Sequence, residues 1–303
     1  MFDDAYRLVA HFFGQLELSD HVFSTVSWHN LAELDCLEGI PLPPTNSDAA
    51  KRMRVAAVLR LLAEAASSHI CQPIHIPRTG NSVADLLDTI ELLDPERANH
   101  VRSVLLGIDS GRQEEYSKKR ATAASKDVFD SVSFMVDDRK AFGRSLLAWF
   151  DRFCNTWRSF QQFDVRYQAL FESQNEDLVP EEWEVLPETP VLPAQTPGQV
   201  VNGATPDGTY TKPNPNTKLE LAHISAQIWP AFLFTTTAGK LEPLKAGYVL
   251  IKAQTAAADQ ELSSYANPET TLDVHRLSRG QRRGIIPPNG ANNTRERLDT
   301  FLG

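Results

Sequence analysis

The residues best suited to chemistry are His69, Cys71 and His75, in the run His69-Ile70-Cys71-Gln72-Pro73-Ile74-His75. Imidazole and thiolate together suit zinc. In an extended segment the three side chains could converge on one ion, with Cys36 as the available fourth ligand. Their spacing matches no zinc-binding pattern, and a plainer reading exists. In it His69 closes a helix, where its ring meets the C-terminal dipole, Cys71 is a small core residue and His75 is exposed. The expectation is the plainer one, with no metal and no cofactor.

Other catalytic signatures are incomplete. Gly107-Ile108-Asp109-Ser110-Gly111 has neither the following Lys nor the preceding strand of a phosphate-cradling loop. Gly143-Arg144-Ser145 lacks the second glycine of a nucleophile elbow. There is no H-E-x-x-H, no C-x-x-C and no paired-Asp motif of a metal-dependent polymerase or nuclease. His11, His21, His29, His100, His223 and His275 are scattered singly. Catalysis is therefore not expected, and an enzyme would need a site assembled from distant residues.

Two features point instead to binding. Arg276, Arg279, Arg282, Arg283, Arg295 and Arg297 concentrate near the end of the chain, with Glu296 as the one acid between the first and last of them. They could neutralise phosphates or lie along an acidic partner. Lys118, Lys119 and Arg120, with Lys126, form a second basic patch on a polar helix. Residues 172–188 hold seven acidic side chains and no basic one, and the acidic, Pro-rich stretch 172–190 could be that partner, within the chain or across a subunit interface. For each of these features the ordinary alternative is a solvated surface.

The element that must hold such a chain together is the stretch from Phe142 to Phe171. Phe142, Leu146, Phe150, Phe153, Trp157, Phe160, Tyr167 and Phe171 recur at helical spacing, which places them on one face of a rod. Thirty residues would span roughly 45 Å. Phe142, Phe150, Phe153, Trp157, Phe160 and Tyr167 are expected to form its core strut. Trp149 and Phe163 lie off the stripe and suggest packing against a second layer.

Shorter helices are expected before it. One covers 3–18, with Tyr6, Val9, Phe13 and Leu16 on one face. Another covers about 49–68, capped by Ser47 or Asp48, with Val55, Val58, Leu62, Ala65 and Ala66 inward. A third opens at Asn81 or Ser82 and points Val83, Leu86, Leu87, Ile90 and Leu93 inward. Asp94-Pro95-Glu96 restarts the helix that ends at Gly107. A polar helix runs from about 112 to 135, and Asp137-Asp138 caps the aromatic one.

Between Pro180 and Pro215 stand eight of the chain's 19 prolines, which excludes a regular helix or central strand there. Leu219–Trp229 reads as a short helix ended by Pro230, Phe232–Thr237 as a strand, and Tyr248–Leu262 as a helix. The expected fold is mainly α with little β, a helical body built around one long aromatic helix. Its divisions are a helical body (1–175), an acidic and Pro-rich excursion (176–216), and C-terminal helices that pack back on the body and end in the Arg-rich tail (217–303).

With 303 residues, 42% hydrophobic and 23% charged, the composition is that of a globular protein with ample core. A formal charge of −9 and a pI near 5.4 argue against a dedicated nucleic-acid binder while leaving room for local basic faces. Three cysteines without paired spacing suit a reducing compartment. Asp3 and Asp4 stand where a secretory signal needs basic charge, and no apolar run approaches the ~18 residues of a membrane span. A cytoplasmic location and no membrane partner are expected.

The layout of Phe142–Phe171 followed by the Pro180–Pro215 excursion resembles the capsid proteins of small double-stranded RNA viruses of the partitivirus kind. The resemblance implies a mainly helical shell with an irregular protruding region, enclosing a genome without a strongly basic arm. The expected function is thus a structural, self-assembling coat or nucleocapsid-type subunit, partnered by itself and by weak, non-specific nucleic-acid contacts, and located in the cytoplasm or the virion. The alternative is a cytoplasmic helical adaptor that binds protein partners through the Pro-rich segment and basic tail.

Overall fold

The computed structural model describes residues 1–71, 86–87, 89–90, 93–107, 110–161, 163, 167–170, 183–187, 223–236 and 240–265. Helices come first in the chain: α1 Phe2–Phe13, α2 Asp20–Phe23, α3 Val26–Ala32, α4 Asp48–His69, α5 Pro95–Gly107, α6 Ser110–Val132 and α7 Arg139–Gln161. Strands β1 Tyr167–Leu170, β2 Trp183–Val185, β3 Ile224–Trp229, β4 Ala231–Thr235, β5 Leu241–Lys245 and β6 Gly247–Ile251 follow, and α8 Lys252–Tyr265 closes the described chain. No helix of the described residues is long and apolar enough to cross a membrane.

At the centre stands α4. Met53, Val55, Ala56, Ala57, Val58, Leu59, Leu61, Leu62 and Ala63 are all buried, as are Arg54 and Arg60, so this stretch of the helix is buried around its whole circumference. It touches α1, α6, β3, α8 and the 3-10 turn Asp35–Leu37. Small alanines let these neighbours approach closely, and the same residues favour the helix itself. Its start is fixed by Ser47, whose hydroxyl accepts from the Ala50 N–H at 3.0 Å. That hydroxyl also donates to Glu261 of α8 at 2.8 Å, and Thr45 donates to the same carboxylate oxygen at 2.7 Å. One carboxylate therefore ties the last helix to the cap of the central one. Replacing Ser47 with Ala should lower stability by about 1 kcal/mol in urea unfolding. A double-mutant cycle with Glu261→Gln should return a coupling above ~0.5 kcal/mol, and additive losses would mean that the bridge contributes nothing.

Among the described residues the β-structure is one bent hairpin with a strand added on each side. β3 runs through Pro230 into β4, and β5 runs through Ala246 into β6. β3 pairs antiparallel with β6, and β4 antiparallel with β5. Proline has no N–H to give the ladder, so the hairpin breaks at Pro230 into two sheets. The order is β1-β4-β5 in one, with β1 antiparallel to β4, and β2-β6-β3 in the other, with β2 parallel to β6. Gly247 sits where any Cβ would stand 2.3 Å from the Trp183 ring, so only glycine lets β2 close on β6. The core is shared by both halves of the chain. Phe2 of α1 stacks on Tyr248 at 3.7 Å between ring centroids, and Trp149 of α7 meets Trp229 of β3 at 6.0 Å.

Several expectations are corrected here. Two three-stranded sheets hold about 15% of the described residues against 67% in helices, so "little β" is wrong. The aromatic helix ends at Gln161, not Phe171. Tyr167, expected in the core strut, opens β1 opposite Phe234 and is half-buried, although its ring still touches Phe160 at 5.0 Å. Phe142, Phe150, Phe153 and Trp157 are buried, and Phe160 is half-buried. Leu219–Trp229 reads as a helix in the sequence, but its described part is strand β3. Tyr248–Leu262 divides into β6 and α8. Within the Pro-rich excursion, Trp183–Val185 is a strand. Leu86 and Leu93, expected inward, are exposed, while Leu87 is buried.

Candidate functional site

Among the described residues the zinc candidates His69, Cys71 and Cys36 belong to no metal-binding cluster. His69 ends α4 and its Nε2 lies 2.6 Å from a carboxylate oxygen of Asp127 on α6, a hydrogen bond between helices. Cys71, one residue past the cap of α4, packs against the core. Burial pushes its thiol well above the usual range, and the neighbouring Cys154 adds to the effect. Cys154 is pushed up to about 12, first by burial and then by Asp151. The Cys36 thiol is raised by burial and by Glu64. A protonated thiol is a poor ligand and a poor nucleophile. His75 lies outside the described residues. Among the described residues no group of three or more His, Cys, Asp or Glu could hold a metal ion.

The α6 patch is divided differently. Lys118 pairs with Glu114 at 2.8 Å and Lys119 with Glu115 at 2.7 Å, each one helical turn away. Hydrogen bonding to its carboxylate raises the ammonium pKa in both pairs. Lys126 pairs with Asp130 at 3.1 Å. Arg120 is half-buried, and its charge acts on the Cys154 thiol instead of joining the solvent row. The run Lys118-Lys119-Arg120 is thus two locally neutralised lysines and one inward arginine. Arg276, Arg279, Arg282, Arg283, Arg295 and Arg297 lie outside the described residues.

A different basic surface stands on the back of α7. Its exposed residues are Arg139, Lys140, Arg144, Ala148, Arg152, Asn155 and Ser159. Four are cations and none is an acid. Lys140, Arg144, Ala148 and Arg152 follow one another at four-residue steps, so they form a stripe opposite the buried aromatic face. No ion pair among the described residues involves Arg139, Lys140, Arg144 or Arg152. The nearest acids in sequence are engaged or set aside. Asp138 caps the helix by accepting from the Ala141 N–H at 2.8 Å, with exposed Asp137 beside it. Asp151 is half-buried, with its carboxyl raised by burial and lowered by Lys118. The signal for this stripe is present in the sequence, interleaved with the aromatic residues whose spacing defines the opposite face. The chain matches no protein family, no curated protein and no solved structure.

Proposed function

We propose that this chain is a self-assembling structural subunit of the coat or nucleocapsid kind, which contacts nucleic acid by non-specific charge and carries out no catalysis. Its place would be the cytoplasm and the assembled particle. The observation that supports the reading is the distribution of uncovered apolar side chains. Leu93 is 82% exposed and Val26 68%, and Leu86, Val104, Leu244 and Tyr265 are also at the surface. Single exposed apolar residues are ordinary. This set is drawn from α3, α5 with the residues before it, β5 and α8, whereas a two-fold dimer covers one patch. A shell subunit meets several neighbours and covers several faces.

Three of the four edge strands of these sheets fit the same picture, because they discourage uncontrolled strand addition. β5 carries Pro243 with Glu242 and Lys245, β2 has three residues, and β3 is irregular at two points. Contacts between copies would then run through side chains. Negative-stain microscopy and size-exclusion chromatography of the purified chain should reveal large, regular oligomers. Val26→Glu with Leu93→Glu should reduce them to small species while leaving the circular dichroism spectrum unchanged. A monodisperse monomer of the unaltered chain at high concentration would overturn the proposal and favour the adaptor alternative.

A further inference from the structure

We infer that the solvent face of α7, centred on Lys140, Arg144 and Arg152, is the surface on which the protein holds the phosphate backbone of single-stranded RNA or DNA. The choice of nucleic acid rests on the coat-subunit reading, but the surface itself rests on charge, pairing and spacing. At ~1.5 Å per residue the stripe from Lys140 to Arg152 is about 18 Å long. It is a row of cations on a chain of net charge −9, and it has no intramolecular partners among the described residues. Lys118 and Lys119 each stand beside a carboxylate that repels a phosphate, a penalty that offsets most of their own attraction for it. The α7 cations carry no such penalty, and releasing the counterions condensed on the nucleic acid favours their contact with phosphate.

The neutral members of the stripe support the same ligand. Ala148 leaves the middle unobstructed, and the Asn155 side-chain amide can donate to a phosphate oxygen, while the Ser159 hydroxyl already donates to the Asn155 carbonyl at 2.9 Å. Two of the three central cations are arginines, whose planar fork suits phosphate. No aromatic or large aliphatic residue is exposed on α7. Protein interfaces are anchored by such residues, whereas backbone binding to a polyanion needs none. A strand bound here would be held by its backbone, without base readout.

The test compares the full chain with the triple variant K140Q/R144Q/R152Q, using fluorescence anisotropy of a labelled oligouridylate across a salt series. All three positions are exposed, so folding should be intact, and the circular dichroism melt checks it. The variant should bind about 10- to 100-fold more weakly near ~0.1 M salt. The slope of log K against log salt should fall by about 2, at ~0.7 for each phosphate no longer neutralised. K118Q/K119Q should stay within about twofold of the unaltered chain. An unchanged affinity and slope in the triple variant would overturn the inference, as would no binding by the unaltered chain at about 50 mM salt. Competition by polyglutamate as effective as that by unlabelled oligouridylate would overturn it too, and assign the stripe to an acidic protein surface. Light scattering on the same samples separates the two proposals: particles absent with the RNA result intact would sink only the coat reading.

Discussion

Trp157→Ala should lower the stability of this protein by ~3–5 kcal/mol, seen as a large drop in the urea midpoint of unfolding. Trp157 is 1% exposed and stands near the C-terminal end of α7. Its ring faces Phe232 of β4, with centroids 6.2 Å apart. The substitution would therefore open a cavity at the seam between the helical layer and the β1-β4-β5 sheet, which is closed by residues far apart in the chain. Whole domains carry only about 5–15 kcal/mol of net stability, so such a loss would populate unfolded chains at physiological temperature. Phe163→Ala is the matched control. Phe163 is 54% exposed and follows the end of α7, and its removal should stay within ~0.5 kcal/mol. Equal effects of the two substitutions would mean that the aromatic stretch does not divide at Gln161 as described.

That division shows where the sequence is readable and where it is not. Local chemistry marks the helix starts well. Ser47 caps α4, Asp94 accepts from the Arg97 N–H at 3.0 Å, and Asp138 caps α7. The end of α7 has no such mark, because no Gly or Pro stands between Gln161 and Phe171. What ends the helix is a distant partner: Tyr167–Leu170 pairs with Ala231–Phe234, far along the chain. The spacing from Phe160 to Tyr167 suits a helix, and yet Tyr167 keeps contact with Phe160 from a strand. Tertiary pairing overrides a local pattern that is itself consistent.

The C-terminal elements differ from expectation for a related reason. Tyr248-Val249-Leu250-Ile251 is a short apolar run, and periodicity alone cannot tell a buried strand from the first turn of a helix. Its β-branched and aromatic composition is the available signal, and the alanines after it obscure the boundary. In β3 the alternation is there to be read, with Ala226 and Ile228 buried and Ser225 and Gln227 half-buried. Pro230 suits a helix stop equally well, but it is the kink between two sheets. The central role of α4 is hidden for the opposite reason. A helix buried on all sides has no apolar stripe, so a one-sided series such as Val55, Val58 and Leu62 understates it. The candidate site follows suit. Glu114 and Glu115, one turn before Lys118 and Lys119, already announce neutralisation, while the unpaired cations of α7 are masked in sequence by the aromatic residues between them.

Arg54→Met should cost about 2–3 kcal/mol, the second large effect, and it tests a charge that the fold buries without a buried carboxylate beside it. Arg54 lies on α4 and is 1% exposed. Its guanidinium donates to the carbonyls of Thr45 at 2.7 Å and Leu16 at 3.1 Å, and more weakly to Asn46 Oδ1 at 3.4 Å. Asn46 in turn clasps Leu18, accepting from its N–H at 2.9 Å and donating to its carbonyl at 2.7 Å. Lys51 and Glu17 form an ion pair across the same junction. Burial lowers the Arg54 pKa to about 10 and Glu17 opposes the shift, so the group stays charged at neutral pH. Methionine would relieve that desolvation and fill much of the space. It would also leave two main-chain carbonyls without a donor, at ~1–3 kcal/mol each, and this second effect is the larger. The loss should be read in urea unfolding, with limited proteolysis cutting first between residues 14 and 18. Stability equal to that of the unaltered chain would mean that water already reaches these carbonyls. The loops before α4 would then be held by contacts such as those of Asn46, the Lys51–Glu17 pair and the bonds of Thr45 and Ser47 to Glu261.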